Sequence, residues 1–184
     1  SLVGSEMCIR DSLLGDDIKR KDIFPAGRLD KDTTGMVLIT NDGTLSHRIL
    51  SPKKHIPKYY IVKLAESFQE DYVRQFAEGI IIDGGEKCLP AKVKRFPDCE
   101  KTAFIELHEG KYHQIKRMFS AVENSVEKLC RIQMGGLPMP EKLAIGEYME
   151  IMHKDVENLL KSQCFEEVFR NITENFSSYW INMQ

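Results

Sequence analysis

The chain has few cysteines, one tryptophan, no long apolar run and no strong excess of charge. Its five cysteines are odd in number and scattered without a CxxC pair, so neither a zinc site nor a disulfide framework is indicated. Free thiols of this kind fit the reducing cytosol, and we therefore expect a cytoplasmic protein. No apolar stretch approaches the roughly 18 residues of a membrane-spanning helix, so we expect no contact with a membrane.

The distribution of charge is more informative than its total. A net charge of −2 does not by itself favour an RNA-binding protein. However, residues 141–184 carry eight acidic and four basic residues, which leaves residues 1–140 with a charge of +2. Residues 44–63 contain no acidic residue and five basic ones, namely Arg48, Lys53, Lys54, Lys58 and Lys63. Because tyrosines and histidines are interleaved with these bases, we expect this segment to face RNA, and the alternative is a solvated surface loop.

A glycine-flanked acidic turn is the segment that points most directly to chemistry. Residues 27–35 read GRLDKDTTG, and an apolar stretch with a further turn follows at residues 36–43. Asp30 lies close to Arg28 and Lys31 in the sequence, and nearby positive charge favours the ionised form of a carboxylate. Such a residue suits a nucleophile or a charge anchor. The alternative is a turn-forming aspartate that bonds its own backbone.

Three segments resemble one enzyme family, in the right order. Residues 27–43, GRLDKDTTGMVLITNDG, resemble the catalytic-loop motif of the RsuA/RluB/RluE/RluF group of pseudouridine synthases. Residues 58–62, KYYIV, are similar to the basic-x-Tyr-x-Val strand of that group, and residues 109–118, EGKYHQIKRM, to its EGx(x)HQ(V/I)(K/R)RM segment. The resemblance covers roughly residues 13–152.

A fourth segment favours one branch of that group. Residues 47–60, HRILSPKKHIPKYY, are similar to the HRLLSPKKHVxKTY pattern of small-subunit members, which modify one uridine of 16S rRNA. This similarity favours the RsuA-like branch over the branches that modify 23S rRNA.

The resemblance implies three catalytic residues. Asp30 is similar to the nucleophilic aspartate of the family, Tyr60 to its active-site tyrosine, and Lys116 to the basic residue that pairs with the aspartate. Ile115 matches an apolar pocket position. Together with the basic residues near these motifs, the expected RNA-binding or substrate-binding set is Arg28, Arg48, Lys53, Lys54, Lys58, His113, Gln114, Ile115 and Arg117.

The implied reaction accounts for these residue types. Turning uridine into pseudouridine moves the base from nitrogen to carbon with no net redox change, so no cofactor and no metal are expected. Asp30 could attack the anomeric carbon or carbon 6 of the ring, or take a proton from the ribose. A buried carboxylate needs a cation such as Lys116 to stay charged, and a base taken out of its helix needs an aromatic face such as Tyr60. The alternatives are a half-buried strand aromatic for Tyr60 and a solvated helix face for Lys116.

The pattern of elements predicts an α+β fold. Strands are expected at residues 57–64, 80–82, 91–96, 102–107 and 126–134, and helices at about 44–50, 69–78 and 112–122. Strands dominate and helices interrupt them, which is typical of an antiparallel or mixed sheet flanked by helices. The resemblance implies the same architecture, the catalytic fold of the pseudouridine synthases.

Three segments are expected along the chain. Residues 1–12 are similar to translated adapter sequence, so we interpret them as a non-native leader. Residues 13–152 are expected to form the catalytic domain, truncated at its start, because the small RNA-binding domain and the first strand with Asn-Lys-Pro-x-Gly of the family are missing. Residues 153–184 place apolar residues at three- and four-residue steps, which predicts an amphipathic helical extension. This extension either packs on the protein's own core or binds a partner.

The resemblance implies an isomerase that converts one uridine of 16S rRNA to pseudouridine through Asp30. Its partner would be rRNA, with 16S rRNA favoured, or a precursor of a ribosomal subunit, and we expect a monomer. The alternatives are a 23S rRNA pseudouridine synthase of the same family, a non-catalytic RNA-binding remnant, and a protein-interaction module that acts through the C-terminal helix.

Overall fold

The structure of the protein is a computed structural model, in which residues 2–5, 23–51, 56–141, 143–144, 146–161, 163–175, 177 and 179 are described. The strands are β1 (Leu2–Ser5), β2 (Phe24–Pro25), β3 (Thr33–Thr40), β4 (Lys58–Leu64), β5 (Ile81–Ile82), β6 (Glu86–Lys87), β7 (Lys92–Phe96), β8 (Cys99–Leu107), β9 (Val126–Met134), β10 (Leu137–Pro138) and β11 (Tyr148–Glu150). The helices are α1 (Gly43–Leu50), α2 (Asp71–Glu78), α3 (Gln114–Ala121), α4 (His153–Leu159) and α5 (Phe165–Glu174).

The main sheet is mixed. Its strand order is β11–β1–β3–β9–β4–β8–β7, in which β3 and β9 run parallel and all other neighbours are antiparallel. β2 pairs with β3, β10 pairs with β9, and β5 and β6 form a separate two-stranded sheet. The predicted α+β class with a mixed sheet is confirmed.

Two hydrophobic clusters cover the two faces of this sheet. Successive side chains of a strand point to opposite faces, and β4 follows this rule. Tyr59 and Ile61 belong to one cluster, whereas Tyr60 and Val62 belong to the other. Helices α1, α4 and α5 contribute buried side chains to the first cluster, and α2 and α3 contribute to the second. The central strand β4 is therefore buried on both sides, and Tyr60, a predicted site residue, lies on the α3 side.

The predicted helical extension consists of two helices, α4 and α5, within its described part. α4 ends at Leu159, and the β9–β10 turn packs against this end of the helix. The Gly136 N–H donates to the Asn158 carbonyl (3.1 Å), and a Cβ added at Gly135 would lie 1.7 Å from the Leu159 carbonyl oxygen. The apolar stripe of α5 is buried in the protein's own core, through Phe165, Val168, Phe169 and Ile172.

Part of the segment that we interpreted as a leader takes part in the sheet. β1 pairs with β3 on one side and with β11 on the other, both antiparallel. Sheet pairing needs only an extended backbone, so residues 2–5 can fill this position whatever their side chains are. Residues 2–5 thus form part of the sheet, while the non-native origin of residues 1–12 stays a prediction.

Two further findings concern the thiols and the helices. Cys88, Cys99, Cys130 and Cys164 are free thiols, and Cys8 lies outside the described residues. None of the helices in the described ranges has the length and apolar character needed to cross a membrane.

Candidate active site

A cavity of about 780 Å³ opens where the acidic turn meets the sheet and the segment before α3. Seven of the predicted site residues line it, namely Arg28, Asp30, Lys58, Tyr60, His113, Gln114 and Ile115. The three motifs that the sequence separates by up to about eighty residues therefore meet in one place. Arg48 is exposed on α1 outside the lining, and Lys53 and Lys54 lie outside the described residues.

The position of Asp30 depends on a close approach between β3 and β9. Residues 30–33 form a turn in which the Thr33 N–H donates to the Asp30 carbonyl (2.9 Å). Directly after it, Gly35 pairs with Arg131 and has φ +104°. A Cβ at Gly35 would lie 2.2 Å from the Arg131 carbonyl oxygen, so only glycine allows the two strands this contact. The glycine thereby fixes the turn against the end of the parallel strand pair.

Asp30 is half-buried and faces His113. Its Oδ1 lies 3.7 Å from the His113 Nε2, and its side chain is 32% exposed. His113 has a left-handed backbone conformation, φ 48°, at the N-terminus of α3. This conformation, uncommon for a residue with a Cβ, brings the imidazole to the mouth of the cavity beside the carboxylate.

The prediction that Lys116 forms an ion pair with Asp30 is wrong. The ammonium group of Lys116 pairs with the Asp32 carboxylate instead, and this hydrogen bond is the main cause that lowers the pKa of Asp32. Residues 113 and 116 are about one helical turn apart, so Asp30 and Asp32 contact neighbouring positions at the same end of α3. The turn at residues 30–33 brings the second carboxylate, rather than the first, to the lysine.

Tyr60 lies in β4 at an irregularity of the sheet. It pairs with Ile105 on one side and with Arg131 on the other, and the register with β9 shifts between Tyr59 and Tyr60. Such a bulge changes the direction of a side chain. The Tyr60 side chain is 9% exposed and lines the cavity, whereas Tyr59 stacks on Phe104 on the opposite face.

Arg131 is a lining residue that the sequence analysis did not select. It is 2% exposed, and its guanidinium donates to the Met36 carbonyl through Nε (2.8 Å) and to the Arg28 carbonyl through Nη1 (3.4 Å). Its Nη2 is buried and has no hydrogen-bond acceptor among the described residues. The signal was present in the sequence, since an arginine inside an apolar strand is costly to bury unless a partner compensates it.

Lys58 places a second cation beside Arg131. Burial, and then the positive charge of Arg131, lower the pKa of Lys58 to about 8. Both side chains line the cavity with Asp30. Two cations in a partly desolvated wall favour an anionic ligand, because each is held at an energetic cost that a negative group would reduce.

Gln114 and Arg117 have structural partners. Gln114 is buried, accepts from the Lys111 N–H (2.9 Å) and donates to Glu109 (2.7 Å), so it fixes the loop before α3. The Arg117 guanidinium bonds the carboxylate and the carbonyl of Asp83 (2.8 Å to the carbonyl). Arg117 lines a second groove, between α3 and the β5–β6 hairpin, rather than the cavity, and its RNA-binding role stays a prediction.

The comparisons with known proteins agree on one family. The family model for RNA pseudouridylate synthase matches residues 5–121. The "Uncharacterized RNA pseudouridine synthase YtzG" of Bacillus subtilis (strain 168) is 43% identical over 153 residues, 82% of this chain and 64% of the relative. The "Ribosomal small subunit pseudouridine synthase A" of Escherichia coli (strain K12) is 42% identical over 140 residues, 75% of this chain and 59% of the relative. The chain thus spans less than two thirds of these relatives.

A solved structure shows the same likeness in three dimensions. A crystal structure of a pseudouridylate synthase superposes with a TM-score of 0.78 at 36% sequence identity. The match covers 86% of this chain and 72% of that one.

Proposed function

The chain belongs to the RNA pseudouridylate synthase family, and we propose that it isomerises uridine to pseudouridine in ribosomal RNA through Asp30. The small-subunit 16S rRNA is the favoured target. Two observations support this target: the similarity of residues 47–60 to the small-subunit pattern, and relatives such as that of Escherichia coli, which are named for the ribosomal small subunit. A 23S rRNA target is the alternative within the same family.

The observation that carries the proposal is the composition of the cavity. Its lining includes the Asp30 carboxylate, the Tyr60 ring and the cations Lys58 and Arg131. A flipped uridine requires an aromatic face for the base and a group that acts on the ribose or the ring. The cations supply complementarity to the phosphate of the nucleotide, since phosphate contacts dominate the affinity for RNA.

The atoms of the reaction balance within the nucleotide. The bond from C1′ to N1 breaks, the base rotates, and a bond from C1′ to C5 forms. The proton on C5 is lost and N1 gains one, so no electron, group or cofactor has to be supplied. Asp30 takes part either as a nucleophile at the anomeric carbon or at C6, or as the base that removes a ribose proton.

The remaining roles follow from the contacts of each residue. Tyr60 stacks on the uracil. Lys116 acts near Asp30 from its pair with Asp32 rather than as the direct partner of the catalytic carboxylate. The protein works on rRNA or on a ribosomal-subunit precursor in the cytoplasm, as a monomer and without a cofactor.

The test is carbodiimide-blocked primer extension on unmodified 16S and 23S rRNA transcripts and on isolated ribosomal subunits. The wild-type chain should produce a new stop in 16S rRNA, and Asp30→Asn should reduce the rate by roughly 1000-fold or more. The matched control is Asp98→Asn, an exposed aspartate with φ 58° in the β7–β8 turn, a conformation that asparagine tolerates. It should keep the wild-type rate.

The possible outcomes separate the candidate functions. Retained activity in Asp30→Asn would contradict the catalytic role of Asp30. A stop in 23S rRNA alone would move the target to the large subunit. No stop in any substrate, with RNA binding preserved, would refute the enzyme and favour the non-catalytic RNA-binding remnant.

A further inference from the structure

Tyr112 is the most exposed large apolar side chain in the described part of the protein. It is 75% exposed, yet its ring has a defined arrangement. It stacks on the imidazole of His113 with ring centroids 3.8 Å apart and an angle of 18° between the planes. One face of Tyr112 is thus covered by His113, and the side chain offers most of its remaining surface to solvent.

The backbone beneath this stack is held firmly. The Tyr112 carbonyl accepts from the Arg117 guanidinium (3.2 Å), and Gln114 ties the preceding residues to Glu109. An exposed ring on a fixed backbone loses little freedom when it binds a flat partner. The arrangement is that of a preorganised stacking surface.

The stack lies at the boundary between the cavity and a second groove. Tyr112 and His113 line the cavity, and the His113 Nε2 is 3.7 Å from the Asp30 carboxylate. His113 also lines a groove of about 790 Å³ between α3 and the β5–β6 hairpin. A chain that leaves the cavity at Asp30 and enters this groove passes the Tyr112–His113 stack.

The second groove suits a nucleic-acid backbone. Its lining contains two half-buried cations, Lys116 and Arg117, which pair with the carboxylates of Asp32 and Asp83. The hairpin turn contributes Gly84 and Gly85, where an added Cβ would meet no atom within 4 Å, so the groove is open on this side. Cations next to an aromatic stack are the combination with which proteins bind single-stranded RNA.

We propose that the Tyr112–His113 stack binds the nucleobase next to the target uridine, unpaired and stacked on Tyr112, while the uridine occupies the cavity. This inference rests on the proposed function, because that function places a uridine beside Asp30. The stack would hold the neighbouring nucleotide at the mouth and direct the RNA strand into the second groove. Aromatic faces accept any base, so the site contributes affinity and register more than sequence preference.

The test uses a fragment of rRNA around the primer-extension stop, with 2-aminopurine placed on the 5′ or the 3′ side of the target uridine. Binding to the wild-type chain should quench the fluorescence of the analogue at one of the two positions. Tyr112→Phe should retain the quenching, and Tyr112→Ala should lose it. For Tyr112→Ala we expect a KM about tenfold higher with kcat within about twofold, as for a lost stacking contact. Tyr148→Ala, an exposed tyrosine on β11 outside both grooves, is the matched control and should leave KM unchanged.

An RNA that lacks the neighbouring base tests whether Tyr112 binds that base and not another part of the RNA. With an abasic nucleotide at the quenched position, wild type and Tyr112→Ala should have the same KM. The inference is overturned if Tyr112→Ala binds and reacts like the wild type on intact RNA, or if its defect persists on both abasic RNAs.

The two proposals fail in different ways. If the wild type forms product and Tyr112→Ala behaves like the wild type, only the stacking-site proposal is overturned. If the wild type forms no product, the fluorescence is measured with a single-stranded oligoadenylate that contains one uridine flanked by 2-aminopurine. Quenching that depends on Tyr112 then supports the stacking site while the enzyme is refuted, and its absence overturns both.

Discussion

Replacing Lys58 with methionine should stabilise the protein at neutral pH and remove part of its pH dependence. Lys58 lies in β4 at the wall of the cavity, and the described residues provide no carboxylate in an ion pair with it. Burial, and then the charge of Arg131, lower the pKa of Lys58 from 10.5 to about 8. The folded state therefore holds this cation at a cost that the unfolded chain does not have.

The sign and size of the effect follow from proton linkage. Between pH 8 and pH 10.5 the folded protein has released the Lys58 proton while the unfolded chain still binds it, so stability rises with pH in this window. Below pH 8 both states carry the charge, and the full penalty, about 3 kcal/mol, is present. Most of it, about 2 kcal/mol, should disappear between pH 7.5 and pH 10.

The assay is urea unfolding of the wild type and of Lys58→Met at several pH values. Methionine has a similar length and no charge, so the contribution of its side chain to the unfolding free energy should not change with pH. The raised pKa values of the Cys88 and Cys130 thiols make the stability of both proteins fall as the pH rises. We therefore follow the difference between the two unfolding free energies as a function of pH, because this common contribution cancels in it. The advantage of Lys58→Met should shrink by about 2 kcal/mol from pH 7.5 to pH 10. Parallel curves would refute a lowered pKa for Lys58.

Two further substitutions test contacts that position the site. Gly35→Ala should lower the unfolding free energy by about 3 kcal/mol or more, because the new Cβ would collide with the Arg131 backbone at φ +104°; Gly43→Ala, where an added Cβ meets no atom within 4 Å, should change it by less than about 1 kcal/mol. Asn124 lies in the turn after α3, and its buried amide accepts from the Glu66 N–H and donates to the Glu66 carbonyl, so Asn124→Ala should cost about 3 kcal/mol. An unfolding midpoint like that of the wild type in either variant would contradict the stated contact.

The local elements could be predicted because their signals are local. The alternation of apolar residues and the turn residues between them predicted strands at 57–64, 91–96 and 126–134, and the structure has Lys58–Leu64, Lys92–Phe96 and Val126–Met134. The two-helix form of the extension was not predictable in the same way. Apolar residues recur from α4 into α5, whereas the contacts at the end of α4 come from the distant β9–β10 turn.

The site could be predicted as a set of residues but not as a set of contacts. The motifs placed Asp30, Tyr60 and His113 in one cavity, as the structure has them. The partner of Lys116 could not be obtained in this way, because Asp30 and Asp32 are two residues apart and a lysine side chain is long enough to reach either. The geometry of the turn determines which carboxylate reaches Lys116, and no pattern in the sequence encodes which carboxylate faces α3.

Arg131 shows what the parallel pairing of β3 and β9 contributes to the site. A cation inside an apolar strand is unfavourable unless acceptors are provided, and here they are the backbone carbonyls of β3 and of the turn that carries Asp30. The same side chain thus joins the two strands, supports the acidic turn and leaves its Nη2 without a partner in the described residues at the cavity wall. Its charge also contributes to the lowered pKa of Lys58. A fold selected for stability alone would replace such a pair of cations with apolar side chains. We therefore expect this wall to bind an anionic ligand, in keeping with the proposed function.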